Sequence, residues 1–173
     1  AGAADAVKVD VHLKAGGEDE ADAQACLDAV EIVREYDEGV LSLGWRWGEG
    51  RRSNWRAVVS FSVRSPAGVF ARVETHNGPV KVEGIHGGAD VTSHNGRLQL
   101  MDCANDIRAK THNGPIVATL DSANVVLRTH NGGIDARLDA IDEVSGKIGT
   151  HNGGIAIVFG SEAVSYTHLR AHE

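Results

Sequence analysis

The tripeptide His-Asn-Gly occurs five times, at His76-Asn77-Gly78, His94-Asn95-Gly96, His112-Asn113-Gly114, His130-Asn131-Gly132 and His151-Asn152-Gly153. The intervals are 18, 18, 18 and 21 residues. A period of this size marks a stacked-repeat architecture, in which one unit cannot bury its apolar face alone and its neighbours complete the core. A small hydroxyl residue precedes every copy: Thr75, Ser93, Thr111, Thr129 and Thr150.

The flanks repeat in character. Val73, Val91, Ala109, Leu127 and Ile148 lie three places before the histidines. Val80, Leu98, Ile116, Ile134 and Ile155 lie two places after the glycines, and Val82, Leu100, Ala118, Ala136 and Ile157 lie four after. Polar residues such as Arg72, Glu74, Lys81, Arg108, Lys110, Arg128, Asp135 and Lys147 stand between them. This alternation has the period of a half-buried strand. Each repeat therefore reads as strand, Asn-Gly corner, strand, second turn.

Two all-β architectures fit that unit. In a meander each Asn-Gly is a two-residue hairpin turn; in a solenoid each repeat is one coil. Both need the left-handed backbone that Gly, and then Asn, tolerates best. The near-constant interval favours a single-stranded β-solenoid of about five coils of roughly 18 residues, because a stacked coil must keep its perimeter. The longer interval adds three residues around 141–146, expected as a bulge or longer second turn. Equivalent residues then lie about 4.8 Å apart. Asn77, Asn95, Asn113, Asn131 and Asn152 form an amide ladder, and Gly78, Gly96, Gly114, Gly132 and Gly153 line the corner. One coil offers a few aliphatic groups worth about 1.5–3 kcal/mol each when buried. That cannot offset the entropy of ordering its residues, at about 1–2 kcal/mol apiece, whereas a stack can.

Composition narrows the function. The 173 residues carry 17 Lys and Arg against 24 Asp and Glu, a formal charge of -7. That balance speaks against nucleic acid as a partner, and no apolar run is long enough for a transmembrane helix. The 21 glycines come with only 3 prolines, so they mark turns rather than a linker. Cys26 and Cys103 permit one disulfide and form no metal-type pair. The opening Ala1-Gly2-Ala3-Ala4-Asp5 reads as the small-residue remnant of signal cleavage or as an arbitrary start, with export the expectation.

Residues 1–67 lack the repeat and are expected to form an N-terminal β-rich capping region. Val7, Val9, Val11 and Leu13 alternate with polar residues as a strand. Residues 19–29 suit a short helix or a loop, and 31–36, 40–47 and 57–63 suit strands. Trp45, Trp47 and Trp55 lie beside Arg46, Arg51, Arg52 and Arg56. They are read as a hairpin with its tip at 48–54, covering one end of the solenoid. As an alternative, Trp45, Trp47, Trp55, Arg46, Arg51 and Arg52 form a ligand surface, since Trp and Arg are favoured at binding hot spots. Repeats occupy 68–164, and 165–173 break the pattern as a non-native or disordered tail.

The Thr-His-Asn-Gly-Pro-Val-Lys-Val unit from Thr75 to Val82, following the strand-like Val58 to Pro66, resembles a bacterial domain of unknown function labelled an adhesin. Its repeats have the form Thr-x-Asn-Gly-x-Ile-x-Val. The resemblance covers residues 55–160 well and 1–54 loosely. It implies a β-solenoid in a cell-envelope or secreted setting, and it carries over no catalytic residue. The histidine before each Asn departs from the family's pattern, where that position varies.

His76, His94, His112, His130 and His151 are the most chemically suggestive feature. If the hydroxyl residues point inward, the imidazoles line one outward ridge. Neutral imidazole binds transition metals, although a row offers two neighbours per ion where a closed zinc site takes four ligands. The row also suggests a pH response. Adjacent imidazolium charges repel by about 1 kcal/mol even in bulk water, so stability is expected to hold above about pH 6.5 and to fall below it. Outward charges differ from coil to coil, as in Glu74, Thr92, Lys110, Arg128 and Gly149, unlike the clustered carboxylates of a carbohydrate-cleaving site. No phosphate loop, nucleophile elbow or metalloprotease helix appears. The expectation is a non-catalytic envelope or surface scaffold with a protein or envelope partner and no cofactor. The runners-up are a metal- or pH-responsive module and a carbohydrate-binding or carbohydrate-active solenoid. Unpaired strand edges at an uncapped C-terminal coil predict self-association.

Overall fold

The computed structural model describes residues 6–38, 40–122, 124–139 and 144–160. They fall into two compact units that divide between Ser65 and Pro66. The tail expected at 165–173 lies outside the described residues.

The N-terminal unit contains β1 (Lys8–Gly16), α1 (Glu20–Asp28), β2 (Val30–Asp37), β3 (Val40–Trp47) and β4 (Arg56–Arg64). β1 pairs antiparallel with β4 from Lys8↔Arg64 to Gly16↔Arg56. The 19–29 stretch is helical because Asp19 caps it: its carboxylate accepts from Asp22 N at 2.7 Å. β2 and β3 pair from Val30↔Trp47 to Asp37↔Val40, with Glu38 at φ +46 in the turn. The expected hairpin with its tip at 48–54 is therefore corrected. The strands flanking that segment belong to different sheets, β3 with β2 and β4 with β1. The physical reason lies in Arg52 and Trp55, whose side chains are bonded to Asp22 on α1, so the chain is drawn to the helix instead of folding back on β3.

The second unit is a β-solenoid of about five turns at roughly 18-residue spacing. One parallel sheet stacks β5 (Ala71–Asn77), β7 (Ala89–Asn95), β9 (Ile107–Asn113), β11 (Asn124–Asn131) and β13 (Ser145–Asn152). The other stacks β6 (Val80–Glu83), β8 (Leu98–Ala104), β10 (Ile116–Asp121), β12 (Ile134–Leu138) and β14 (Ile155–Phe159). Every pairing is between strands of adjacent coils, which excludes the meander. Alternating apolar positions face each other across the two sheets. Leu98, Leu100, Ile116 and Leu127 are fully buried there, with Val91, Ala109, Ala118, Ile134 and Ala136 around them.

The corner explains the glycine column. A Cβ on Gly114 would lie 2.2 Å from the Gly96 carbonyl oxygen, and one on Gly132 would lie 2.2 Å from that of Gly114. Neighbouring coils touch backbone to backbone here, and only glycine fits. The extra residues of the 21-residue interval fall between Leu138 and Ser145, since Leu138↔Phe159 and Asn124↔Ser145 both keep register. Residues 140–143 of that stretch lie outside the described residues. In β8, Asp102 at φ +52 is a bulge, so Thr119 pairs with Met101 and Leu120 with Cys103.

Candidate functional site: the outward face of the histidine sheet

The register of the β13-β11-β9-β7-β5 sheet fixes three outward columns. One is Arg72, Asp90, Arg108, Val126 and Lys147; the next is Glu74, Thr92, Lys110, Arg128 and Gly149. The third holds His76, His94, His112, His130 and His151, all exposed. The hydroxyl residue before each histidine turns the other way. Thr111 Oγ1 donates to Gly96 O at 3.3 Å, Thr129 Oγ1 to Gly114 O at 2.9 Å and Thr150 Oγ1 to Gly132 O at 2.8 Å. Inward threonines therefore hold the imidazoles outward.

The five rings form one continuous stack. Successive centroids lie 4.8, 4.9, 4.8 and 4.6 Å apart, with interplanar angles of 2° to 6°. The spacing is that of neighbouring strands, so the backbone sets it. Parallelism matters for metal chemistry. Nitrogen lone pairs lie in the ring planes, and lines in parallel stacked planes do not converge on one ion. Among the described residues no group of three or more His, Cys, Asp or Glu is placed to hold a metal.

The amide ladder beside the stack is complete. Asn95 Nδ2 donates to Asn77 Oδ1 at 2.9 Å, Asn113 to Asn95 at 2.8 Å, Asn131 to Asn113 at 2.7 Å and Asn152 to Asn131 at 2.8 Å. A second polar ladder runs along the opposite corner, and the sequence reading missed it. Asn124 Nδ2 donates to Asp106 Oδ1 at 2.9 Å, and Ser145 Oγ donates to Asn124 Oδ1 at 2.7 Å. Its signal was present: Asp106, Asn124 and Ser145 share the 18- and 21-residue intervals of the tripeptide.

Charge is uneven along the stack. Arg72, Glu74 and Asp90 mix both signs on β5 and β7, whereas the charged residues of these columns on β9, β11 and β13 are all cationic: Arg108, Lys110, Arg128 and Lys147. Arg108 reaches Asp90 only at 3.9 Å. Among the described residues Lys110, Arg128 and Lys147 have no ion-pair partner. On this face of a chain of formal charge -7, a flat cationic patch adjoins His112, His130 and His151. A shallow open groove lies at the other end, lined by Glu74, Thr75, His76, Thr92, Ser93 and His94. Ser93 Oγ is buried and has no hydrogen-bond partner among the described residues, so no imidazole is placed to activate it.

The tryptophan and arginine set divides in two. Trp45 and Trp47 pack edge to face at 5.5 Å on β3, Arg51 stacks over Trp47 at 4.9 Å, and Arg46 pairs with Glu31 at 2.7 Å. Trp55 is buried, with Arg52 over its ring at 5.4 Å. Asp22 anchors this second group, accepting from Trp55 Nε1 and Arg52 Nη1 at 2.8 Å and from Asn54 Nδ2 and Glu18 N at 3.0 Å. The Trp55 indole donor first, then the Glu18 amide, hold the Asp22 carboxyl below the usual carboxylate range. Trp55 and Arg52 are thus committed to the fold of the unit.

Both cysteines are buried free thiols, so the permitted disulfide is absent. Burial pushes the Cys103 thiol up, keeping it protonated and unreactive. No described helix is long and apolar enough to cross a membrane. No family model, curated protein or solved structure matches this chain.

Proposed function

We propose that the chain is a non-catalytic recognition scaffold of a bacterial envelope or surface, and that its working face binds an acidic polymer. The observation that carries this reading is the uncompensated cationic patch of Lys110, Arg128 and Lys147 on β9, β11 and β13, flush with the imidazole ridge. Lys110 and Arg128 are cross-strand neighbours, about 4.8 Å apart at the backbone, Arg108 lies about 6.6 Å from Lys110 along β9, and Lys147 stands diagonally beyond Arg128. A rigid grid of this kind suits an extended chain carrying many carboxylates better than one small anion. The negative balance of the whole chain keeps the attraction local. The outward columns of this sheet carry no Trp, Tyr or Phe, and the imidazole faces are stacked on one another rather than free to receive nucleobases, which favours an acidic glycan over nucleic acid.

The ridge adds a second element. The five imidazoles, stacked 4.6–4.9 Å apart, run beside the cationic patch and extend the flat surface offered to the polymer. The parallel ring planes do not converge on one ion, which speaks against metal capture by the ridge.

The test is titration calorimetry with polygalacturonate, beside neutral dextran and duplex DNA, for the full chain and for K110Q/R128Q/K147Q. Salt-sensitive binding to polygalacturonate is expected, weakened by more than about tenfold in the variant, since each close contact is worth about 1 kcal/mol even in water. Equal binding by the variant would overturn the assigned face. Tighter binding to DNA or dextran would overturn the ligand class.

A further inference from the structure

The Asn-Gly corner carries chemistry as well as geometry. In any Asn-Gly step the glycine main-chain nitrogen can attack the asparagine Cγ, because no side chain obstructs it. A native fold slows this reaction when it ties down that nitrogen. In the solenoid Gly78, Gly96, Gly114 and Gly132 each donate their N–H to the main-chain oxygen of the ladder asparagine one coil on, at 2.9–3.0 Å. Gly153 stands in the last described coil, and among the described residues its N–H has no acceptor. Asn152 and Gly153 are both exposed.

We infer that Asn152 is a spontaneous modification site, converting to aspartate and isoaspartate while the four preceding ladder asparagines are protected by the coil that follows each of them. Hydroxide removes the Gly153 amide proton, and the nitrogen attacks Asn152 Cγ. The new C–N bond closes a succinimide as the Cγ–Nδ2 bond breaks, and the amide leaves as ammonia after taking a proton from water. Water then opens the ring. Attack at Cγ gives aspartate; attack at the main-chain carbonyl gives isoaspartate, whose backbone runs through the side chain. Either product replaces the Nδ2 donor that now serves Asn131 Oδ1 with a carboxylate. The rung to Asn131 is lost, and a negative charge appears beside His151 at the edge of the cationic patch. This inference rests on the coil geometry and is independent of the proposed ligand.

The experiment is peptide mapping by mass spectrometry of the full chain, held at mildly alkaline pH with and without urea. In native buffer the peptide containing Asn152 is expected to convert about two- to tenfold faster than those containing Asn77, Asn95, Asn113 and Asn131, the rate equivalent of one hydrogen bond. In urea all five should convert at similar rates. Native conversion of any of the other four as fast as Asn152 would overturn the inference. So would the same ranking persisting in urea, because the difference would then reside in local sequence.

Discussion

In the N-terminal unit one carboxylate, Asp22, gathers the Glu18 amide, the Arg52 guanidinium, the Asn54 amide and the Trp55 indole. In the solenoid no single group has that standing: a threonine bond, an amide rung and a ring contact recur from coil to coil. The apolar content differs as sharply. Among the described residues of the N-terminal unit only Cys26 and Trp55 are buried apolar side chains, while Ile32, Tyr36, Val40, Val58 and Val63 are exposed. The solenoid instead holds a continuous core. A hub concentrates stability in one place and fails as a whole when the centre is lost. A column spreads stability over equivalent bonds, so damage depends on position within the stack.

The largest effect that could break this comparison lies in the apolar cores. Ile116→Ala, at a fully buried site, is expected to cost about 2–5 kcal/mol in denaturant unfolding. Ile32→Ala, at 40% exposure, should cost below about 1 kcal/mol. Similar costs would show that the N-terminal unit hides a core comparable to the solenoid's.

Acid distinguishes the hub next. The Asp22 carboxyl titrates below its unfolded value in the folded unit, chiefly because the Trp55 indole donates to it. Its contribution to stability is therefore present above about pH 3.9 and is lost as the pH falls through the lower folded value. All three tryptophans lie in this unit, so tryptophan emission should report its acid unfolding separately from the far-ultraviolet signal of the strands. Asp22→Asn should lower the stability of this unit at neutral pH and flatten its dependence below pH 4. An unchanged acid profile would remove Asp22 from the centre of the unit.

The amide ladder sharpens the comparison at smaller energies. Asn113→Ala removes two rungs, its donation to Asn95 and its acceptance from Asn131. Asn152→Ala removes one among the described residues. At about 0.5–1.5 kcal/mol per bond, the inner substitution should cost about twice the terminal one in thermal or denaturant melts. Equal costs would mean that the rungs do not act as independent bonds.

Most of the solenoid was legible because repetition multiplies weak local signals. One Asn-Gly could be a hairpin, but five at near-constant spacing fix a perimeter. The same intervals carried the His stack and the Asn ladder, and they would have yielded Asp106, Asn124 and Ser145 had every recurring polar position been aligned. The N-terminal unit offered no such redundancy. Its strands were readable from alternation, yet their partners depend on Asp22 meeting Trp55 across 33 residues, which no local pattern encodes. On the candidate face the 18-residue interval already aligned Lys110 with Arg128, and the register added Arg108 and Lys147 in the neighbouring outward column.

The smallest effect concerns one irregular rung. Thr129 Oγ1 donates to Gly114 O, while the matching Ser93 Oγ is buried and unpartnered among the described residues. The difference follows from side-chain shape. The second substituent on the threonine Cβ leaves it fewer χ1 rotamers than serine, so less freedom is lost in presenting its hydroxyl to the carbonyl. Ser93→Ala should leave stability unchanged or raise it by up to about 1 kcal/mol, because it removes an unsatisfied buried hydroxyl. Thr129→Val, which keeps the shape and removes the donor, should cost about 0.5–1.5 kcal/mol. Ser93→Thr then separates shape from position. A gain in melting temperature would show that the second coil lacks only the methyl that holds the hydroxyl in place. A loss would show that the coil is spaced differently there, and that the column is less regular than its stacked rings suggest.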